Sequence, residues 1–259
     1  MTNANLNNVK LKVIDLSKRY LEPPVQALKD IDFEVADGDF FCIIGPSGCG
    51  KSTTLRLIAG FEEPTEGRVL LDGKKVKAPG PDRAMVFQDL NQLFPWKTTL
   101  KNVVYPLKVN KLYSNNNRRM ETARKYLRMV GLSDNFDNAF PHQLSGGMKQ
   151  RVAIARALAL DPKVLLMDEP FGSIDAQTRT GLQEELLRIW ENTHKTILFV
   201  THNIEEAILL GTKILVLGTN PGRVIEVIEN PIQPPRIATD PGFADFWGTL
   251  YNLLGHKDD

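Results

Sequence analysis

Residues 45 to 53 are Gly45-Pro46-Ser47-Gly48-Cys49-Gly50-Lys51-Ser52-Thr53, and they are the most diagnostic segment of the chain. It matches the phosphate-binding pattern G-x-x-x-x-G-K-[ST]. Glycines permit a tight turn whose backbone N–H groups point at phosphate oxygens, and the start of a helix favours an anion. An apolar strand at residues 40–44 precedes the loop, and a helix is predicted from Lys51 to Ala59. Lys51 is therefore expected to reach phosphate oxygens and Ser52 to bind Mg²⁺; the alternative is a glycine turn that matches by chance.

A second apolar strand, at residues 164–167, leads into two adjacent carboxylates, Asp168 and Glu169. Ligands of open α/β sheets bind at the carboxyl ends of the strands. Asp168 is therefore a candidate Mg²⁺ ligand, and Glu169 a candidate base that polarises an attacking water. Taken alone, the pair is equally compatible with a solvated acidic turn.

The remaining pattern predicts an α/β protein with a helical insertion. Residues 9–35 and 66–77 have the alternation of antiparallel strands, with a turn at Asp72-Gly73. Residues 100–158 are helical in pattern. Strands at 196–200 and 214–217 then alternate with helices at 182–190 and 204–210, which indicates a parallel sheet covered by helices. A short amphipathic helix is expected near the end, with an apolar stripe of Phe243, Phe246, Leu250, Leu253 and Leu254.

Composition excludes several classes of protein. The chain has 259 residues, with 32 Lys and Arg against 31 Asp and Glu, so it lacks the basic excess of a general nucleic-acid binder. Two cysteines, Cys42 and Cys49, do not make a disulfide framework and fit a reducing compartment. No signal-peptide pattern and no apolar run of about 18 residues is present, so a membrane role is expected to be peripheral.

Residues 144–151 are Leu144-Ser145-Gly146-Gly147-Met148-Lys149-Gln150-Arg151, and they resemble the signature L-S-G-G-x-x-x-R of ATP-binding-cassette (ABC) ATPases. Other landmarks of that family occur on both sides of the signature, in the order typical of the family, over about residues 9–228. Each alone has a plainer explanation, such as an edge-strand aromatic or a surface amide, and only their joint order favours function. They are an aromatic residue resembling the one that stacks on adenine (Tyr20), the Q-loop glutamine (Gln88), the D-loop (Ser173-Ile174-Asp175-Ala176) and the switch histidine (His202).

The resemblance implies a P-loop NTPase ABC cassette with a RecA-like core, an antiparallel β subdomain and an inserted helical subdomain. The cassette would span residues 9–230, with the insertion at about 89–158 and a short C-terminal extension at 231–259. The implied ligands are ATP and Mg²⁺. The implied catalytic residues are Glu169, His202 and Gln88. The implied Mg²⁺ ligands are Ser52, Gln88 and Asp168. The implied nucleotide-binding residues are Tyr20, Gly45, Pro46, Ser47, Gly48, Cys49, Gly50, Lys51, Ser52, Thr53, Ser145, Gly146, Gly147 and Asp175.

The resemblance also implies partners. The signature would face the nucleotide of a second cassette, in a homodimer or with a close paralogue. Permease subunits would hold the chain at the cytoplasmic face of the membrane, and an extracytoplasmic substrate-binding protein would act indirectly. DNA-maintenance ATPases carry a long coiled coil that is missing here, two-cassette translation factors have two P-loops, and exporter cassettes are often fused to membrane helices. We therefore expect an importer ATPase without a nucleic-acid partner.

Within the importers, two stretches resemble the nitrate/sulfonate/taurine group: Phe87 to Thr98, and Asn220 to Ile225 followed by a proline-rich tail. The implied cargo is a small anion. The alternative is another small solute, such as a vitamin precursor, an amino acid or a polyamine.

Two further expectations concern individual side chains. Cys49 lies near Lys51 and a helix start, both of which lower a thiol pKa, so Cys49 is expected to react before an inert Cys42. The cluster Leu93-Phe94-Pro95-Trp96 follows Gln88 and is expected to help dock the permease; ordinary packing inside the insertion is the alternative.

Overall fold

The computed structural model describes residues 9–255. The chain divides into two compact units, one made of residues 1–79 and 195–259 and the other of residues 80–194. The strands are β1 (Val9–Leu21), β2 (Pro24–Ala36), β3 (Phe40–Ile44), β4 (Glu66–Leu71), β5 (Lys74–Lys75), β6 (Arg83–Val86), β7 (Val164–Asp168), β8 (Thr196–Thr201), β9 (Lys213–Gly218) and β10 (Arg223–Glu229). The helices are α1 (Lys51–Ala59), α2 (Thr99–Val109), α3 (Asn116–Met129), α4 (Gly146–Leu158), α5 (Ala176–Thr193), α6 (Ile204–Leu210) and α7 (Phe243–Leu253).

The first unit contains an antiparallel sheet in the order β2-β1-β4-β5. The predicted strands in residues 9–35 and the hairpin at 66–77 are confirmed, and the hairpin turns where Asp72 and Gly73 both take a positive φ. Gly67 also has a positive φ, and a Cβ there would lie 2.2 Å from the Asp15 carbonyl oxygen, so only glycine fits where β4 approaches β1.

A second set of strands in this unit runs in the order β10-β9-β3-β8, with β3 parallel to both β8 and β9. Every residue of β3 and β8 is buried, which explains their continuous apolar sequence. Helix α6 packs against β3 and β8, and α7 packs against α6 through Phe243, Phe246 and Leu250. The α/β architecture predicted from the sequence is therefore confirmed.

The second unit joins the parallel pair β6 and β7 to helices α2, α3, α4 and α5. The predicted helical region at 100–158 is confirmed. Helix α5 begins earlier than predicted, because Asp175 caps it through its side-chain oxygen; Ser145 caps α4 in the same way. Strand β6 was not predicted: it has four residues and begins with a buried arginine, Arg83. None of the helices in residues 9–255 has the length and apolar character needed to cross a membrane.

Candidate functional site: a phosphate loop and an acidic strand end

The phosphate loop connects β3 to α1 inside the first unit. Its crown, residues 46–48, is exposed, whereas Gly45 and Cys49 are buried. Gly48 and Gly50 have φ of 80° and 95°, a region that favours glycine. Gly50 is the N-cap of α1 and has no side chain to bond the first N–H groups of the helix. The start of α1 therefore directs backbone donors toward the loop, as an anion site requires.

Lys51 is buried and lies across the inside of the loop. Its Nζ donates to the carbonyl oxygens of Gly45 at 2.8 Å and Pro46 at 3.0 Å. The ammonium group is thus held by the first residues of the same loop whose N–H groups would bind phosphate. This places a positive charge within the predicted anion site.

The predicted switch residue follows the strand next to the loop. Ile44 at the end of β3 pairs with Thr201 at the end of β8, so Gly45 and His202 leave adjacent parallel strands at the same edge. Thr201 Oγ1 donates to Glu206 Oε2 at 2.6 Å and accepts from the Asn203 N–H at 3.0 Å. Residue His202 itself is exposed, so a well-fixed turn presents it to solvent.

In the second unit, Gln88 and Glu169 come together. Val86 pairs with Met167, so Gln88 and the Asp168-Glu169 pair leave the same edge of the parallel pair β6 and β7. A Cβ built on Gly172 would lie 3.3 Å from Gln88 Nε2 and 3.8 Å from Glu169 Oε2, which places both side chains beside Gly172.

Glu169 also has a backbone conformation that is uncommon for its residue type. Its φ is 43°, in the left-handed region, and its carbonyl oxygen accepts from the Gly172 N–H at 3.1 Å. Non-glycine residues held in this backbone region cost free energy and occur at functional sites more often than elsewhere. The preceding residue, Asp168, is buried at the end of β7.

The signature residues form the start of α4 in the same unit. Ser145 is the N-cap and accepts from the Met148 N–H at 3.3 Å, so Gly146 and Gly147 lie in the first turn of the helix. A Cβ on Gly147 would lie 2.4 Å from Thr178 Cγ2, at the start of α5. The signature is therefore in direct contact with the segment that follows the D-loop.

Asp175 and Arg151 have structural roles in this arrangement. Asp175 Oδ1 accepts from the Thr178 N–H at 3.0 Å, and the hydrogen bonds to Thr178 lower the pKa of Asp175. Arg151, the arginine of the signature, forms an ion pair with Glu185 and donates to the Val130 carbonyl oxygen at 2.6 Å. It thereby ties α4 to α5 and to the end of α3.

Comparison with known proteins gives the family. The family described as ABC transporter matches residues 28–172, which is more than half of the chain. The chain belongs to the ABC transporter ATP-binding family. It is the ATPase subunit of an ABC transporter, as the joint order of the motifs predicted.

Several relatives are similar along almost their whole length. An uncharacterized ABC transporter ATP-binding protein of Methanocaldococcus jannaschii is 50% identical over 253 residues, covering 97% of this chain and 92% of the relative. A nitrate import ATP-binding protein of Synechococcus elongatus is 42% identical, covering 100% of this chain and 97% of the relative. An aliphatic sulfonates import ATP-binding protein of Bacillus cereus is 44% identical and covers 85% of each chain.

A solved structure is similar as well. The dimeric post-hydrolysis state of an ATP-binding cassette bound to ADP and Pi superposes with a TM-score of 0.76 at 35% identity, covering 86% of this chain and 100% of that one. The cassette fold predicted for the ATPase is therefore confirmed, and ATP is its nucleotide.

The cysteine of the phosphate loop differs from the prediction. Cys49 is 1% exposed, and a Cβ on Gly45 would lie 2.5 Å from its Sγ, so the thiol points into the protein behind the loop. Burial raises the pKa of Cys49, and Lys51 only partly opposes this effect. The expected lowering of the pKa was wrong, because the thiol is desolvated together with its cationic neighbour. Burial also raises the pKa of Cys42, in agreement with an inert core residue.

We expect alkylation of the ATPase to follow the raised pKa of Cys49. In a Cys42→Ala variant, the rate of iodoacetamide labelling at Cys49 should still be rising with pH above about 8.5, the ordinary thiol pKa, because only the thiolate reacts. Mass spectrometry of samples quenched between pH 7 and 10 measures the rate, with free cysteine as control. A rate that levels off below pH 8 would contradict the raised pKa.

Proposed function

We propose that the ATPase binds Mg·ATP on residues 45–53 and hydrolyses it with Glu169 as general base. The observation that carries this proposal is the position of Glu169, at the end of a buried strand and beside Gln88. In this role Glu169 takes a proton from the attacking water, and Gln88 and His202 orient water and γ-phosphate. Lys51 neutralises phosphate charge. The proposed cassette spans residues 9–230, with the helical part at 89–158 inserted.

The proposed magnesium ligands are of the chemical kinds that bind this ion. Mg²⁺ prefers oxygen ligands and keeps several waters, so one or two side chains plus phosphate oxygens are sufficient. Ser52 offers a hydroxyl in the first turn of α1, directly after the loop, and Asp168 a carboxylate at the end of β7. Gln88 could add its amide oxygen. When bound, Mg²⁺ would neutralise charge on the phosphates, and these side chains would hold it.

Two cassettes are needed to complete the proposed site. Ser145, Gly146 and Gly147 form a second helix start, at which a second phosphate-bearing ligand would be bound by backbone N–H groups. We propose that this start faces the nucleotide of a second copy or a close paralogue, with Asp175 nearby. The dimeric state of the similar cassette supports this arrangement. Tyr20, in the first unit, is proposed to stack on the adenine.

Glu169→Gln should separate binding from hydrolysis. The variant keeps the side-chain shape but cannot accept a proton, so turnover should fall by about 100-fold or more while ATP still binds. A dimer should accumulate with ATP and be seen by size-exclusion chromatography with light scattering. The matched control is Glu184→Gln, an exposed residue of α5 that should retain wild-type turnover.

Lys51→Ala gives the opposite result, because removing the cation should weaken ATP binding itself. Hydrolysis by Glu169→Gln at the wild-type rate would show that Glu169 is not the base.

The helical part offers a surface for a permease. Trp96 is 69% exposed, and its ring lies 5.6 Å from that of Phe94, which in turn lies 4.8 Å from Tyr105. The loop of residues 94–97 is anchored to α2, because buried Asn102 accepts from the Phe94 N–H at 2.8 Å and donates to the carbonyl oxygens of Phe94 and Lys97. Leu93, by contrast, is buried and serves as a packing residue.

A groove of about 590 Å³ lies between α2 and α3 next to this loop. Its apolar lining residues include Leu100, Val104 and Met120, and its charged lining residues are all cationic: Lys97, Lys101, Lys108 and Arg124. We propose that the groove and Trp96 receive an acidic, amphipathic cytoplasmic segment of the permease, which would hold the ATPase peripherally at the membrane. The names of the import relatives support a permease partner. A substrate-binding protein would act on the permease from the other side.

Charge reversal in the groove should uncouple transport. Trp96→Ala and the pair Lys101→Glu/Lys108→Glu should each lower uptake by the reconstituted complex about tenfold or more, because an aromatic anchor and matching charges are lost. ATPase activity of the isolated subunit should stay near wild type. Lys125→Glu, an exposed residue of α3 outside the groove, is the matched control.

A compensating change in the permease segment, in which Glu or Asp is replaced by Lys, should restore uptake by the Lys101→Glu/Lys108→Glu variant. Such a rescue would identify the contact. Undiminished uptake in both groove variants would refute the docking surface.

We propose that the complete transporter imports a small anion such as nitrate, a sulfonate or taurine. The supporting observation is the similarity to nitrate and aliphatic sulfonates import proteins. The alternative cargo is a vitamin precursor, an amino acid or a polyamine. The ATPase subunit itself is not expected to contact either kind of cargo.

The cargo is tested by uptake into proteoliposomes with labelled nitrate, taurine and spermidine, each at equal concentration. ATP-dependent uptake of nitrate or taurine is expected. Uptake of spermidine alone would exclude an anion.

A further inference from the structure

Tyr20 is tied to the helix that follows the phosphate loop. Its hydroxyl donates to Glu62 Oε2 at 2.7 Å, and the other oxygen of this carboxylate lies 3.8 Å from Nη1 of Arg56 in α1. Burial and the Glu62 carboxylate raise the pKa of Tyr20, so the hydroxyl remains a donor at neutral pH. The aromatic ring is therefore tied to the segment that follows α1, although Tyr20 and Glu62 lie 42 positions apart in the sequence.

Glu62 is itself held by two cations. Lys18 Nζ lies 3.3 Å from Glu62 Oε2, and Arg56 Nη1 lies 3.8 Å from Glu62 Oε1. The Lys18 ammonium also donates to the Glu63 carbonyl oxygen at 2.9 Å. Because the Glu62 side chain is only 22% exposed, its carboxylate has a restricted set of positions. The acceptor that orients Tyr20 is therefore fixed before a ligand arrives.

The two faces of the Tyr20 ring are not equivalent. Lys18 Nζ lies over one face, 5.0 Å from the ring centroid. A planar base can stack on the opposite face without displacing this cation. The Lys18 ammonium therefore packs against the face of the Tyr20 ring that the base would not use. The hydrogen bond from the Tyr20 hydroxyl to Glu62 restricts rotation of the side chain.

We infer that Glu62 is a positioning residue that holds Tyr20 ready for a nucleobase, so that the base-dependent part of nucleotide affinity depends on the hydrogen bond between Glu62 and Tyr20. The inference rests on the proposed stacking role of Tyr20. A ring that is already oriented loses less side-chain entropy when the base binds. The phosphate-dependent part of the affinity arises at residues 45–53 and does not need this bond.

Calorimetric titration of the full chain with ADP and with inorganic pyrophosphate tests the inference, because neither probe is hydrolysed and only ADP carries a base. Tyr20→Phe and Glu62→Ala should each raise the Kd for ADP about threefold to tenfold, and the double variant should bind no more weakly than either single variant. Glu62→Gln retains an acceptor for the hydroxyl and should restore the Kd to within about twofold of wild type. The Kd for pyrophosphate should change less than about twofold throughout, which also shows that the variants are folded.

Glu63→Ala is the matched control, because it removes an equal charge from the adjacent, exposed position. Tyr20→Ala separates the two hypotheses. An unchanged Kd for ADP in Tyr20→Ala would refute the stacking role and the inference with it. Weaker binding in Tyr20→Ala, together with wild-type binding in Glu62→Ala, would overturn the inference alone. A parallel rise of the pyrophosphate Kd in Glu62→Ala would also overturn it, because Glu62 would then act on the phosphate loop.

Discussion

The uncapped start of α1 is the constraint on which the nucleotide site depends. A helix that is to bind an anion must leave its first N–H groups to the ligand, and Gly50 does so because it has no side chain with which to cap them. The same conformation has consequences for the neighbours. It requires a left-handed φ at Gly48 and Gly50, directs Lys51 back over the loop carbonyls and turns the Cys49 thiol into the protein. The chemistry of residues 45–53 therefore follows from one helix end.

The sequence was most informative where function lies in a continuous stretch. Helix α1 and helix α6 have the bounds that the pattern predicts, because a turn signal and an apolar stripe mark their ends. It was less informative where a cap decides the boundary. Helix α5 starts six residues before the predicted position, at Ala176, because the Asp175 side chain bonds its first turn. Strand β10 was missed because most of its residues are exposed, so it has no buried stripe to recognise.

Long-range contacts could not be predicted. The sequence identifies Tyr20 only by resemblance, and no local pattern connects it to Glu62 or places Lys18 over its ring. The cationic groove likewise depends on residues that are distant in the sequence. The chain is almost neutral in total, yet one groove is lined by Lys101 and Lys108 of α2, by Arg124 of α3 and by Lys97, which precedes α2. Overall composition correctly disfavours a general basic surface, but a local one depends on tertiary structure.

The contact between Gly147 and Thr178 has an evolutionary consequence. With 2.4 Å between a would-be Cβ and the threonine methyl, a side chain at the second signature glycine would separate the starts of α4 and α5. The two positions are therefore coupled: a side chain at Gly147 requires the Thr178 side chain to move or to be exchanged for a smaller one. A substitution at Gly147 is then inherited with the least disturbance where Thr178 has already been replaced by a smaller residue, because the starts of α4 and α5 keep their contact.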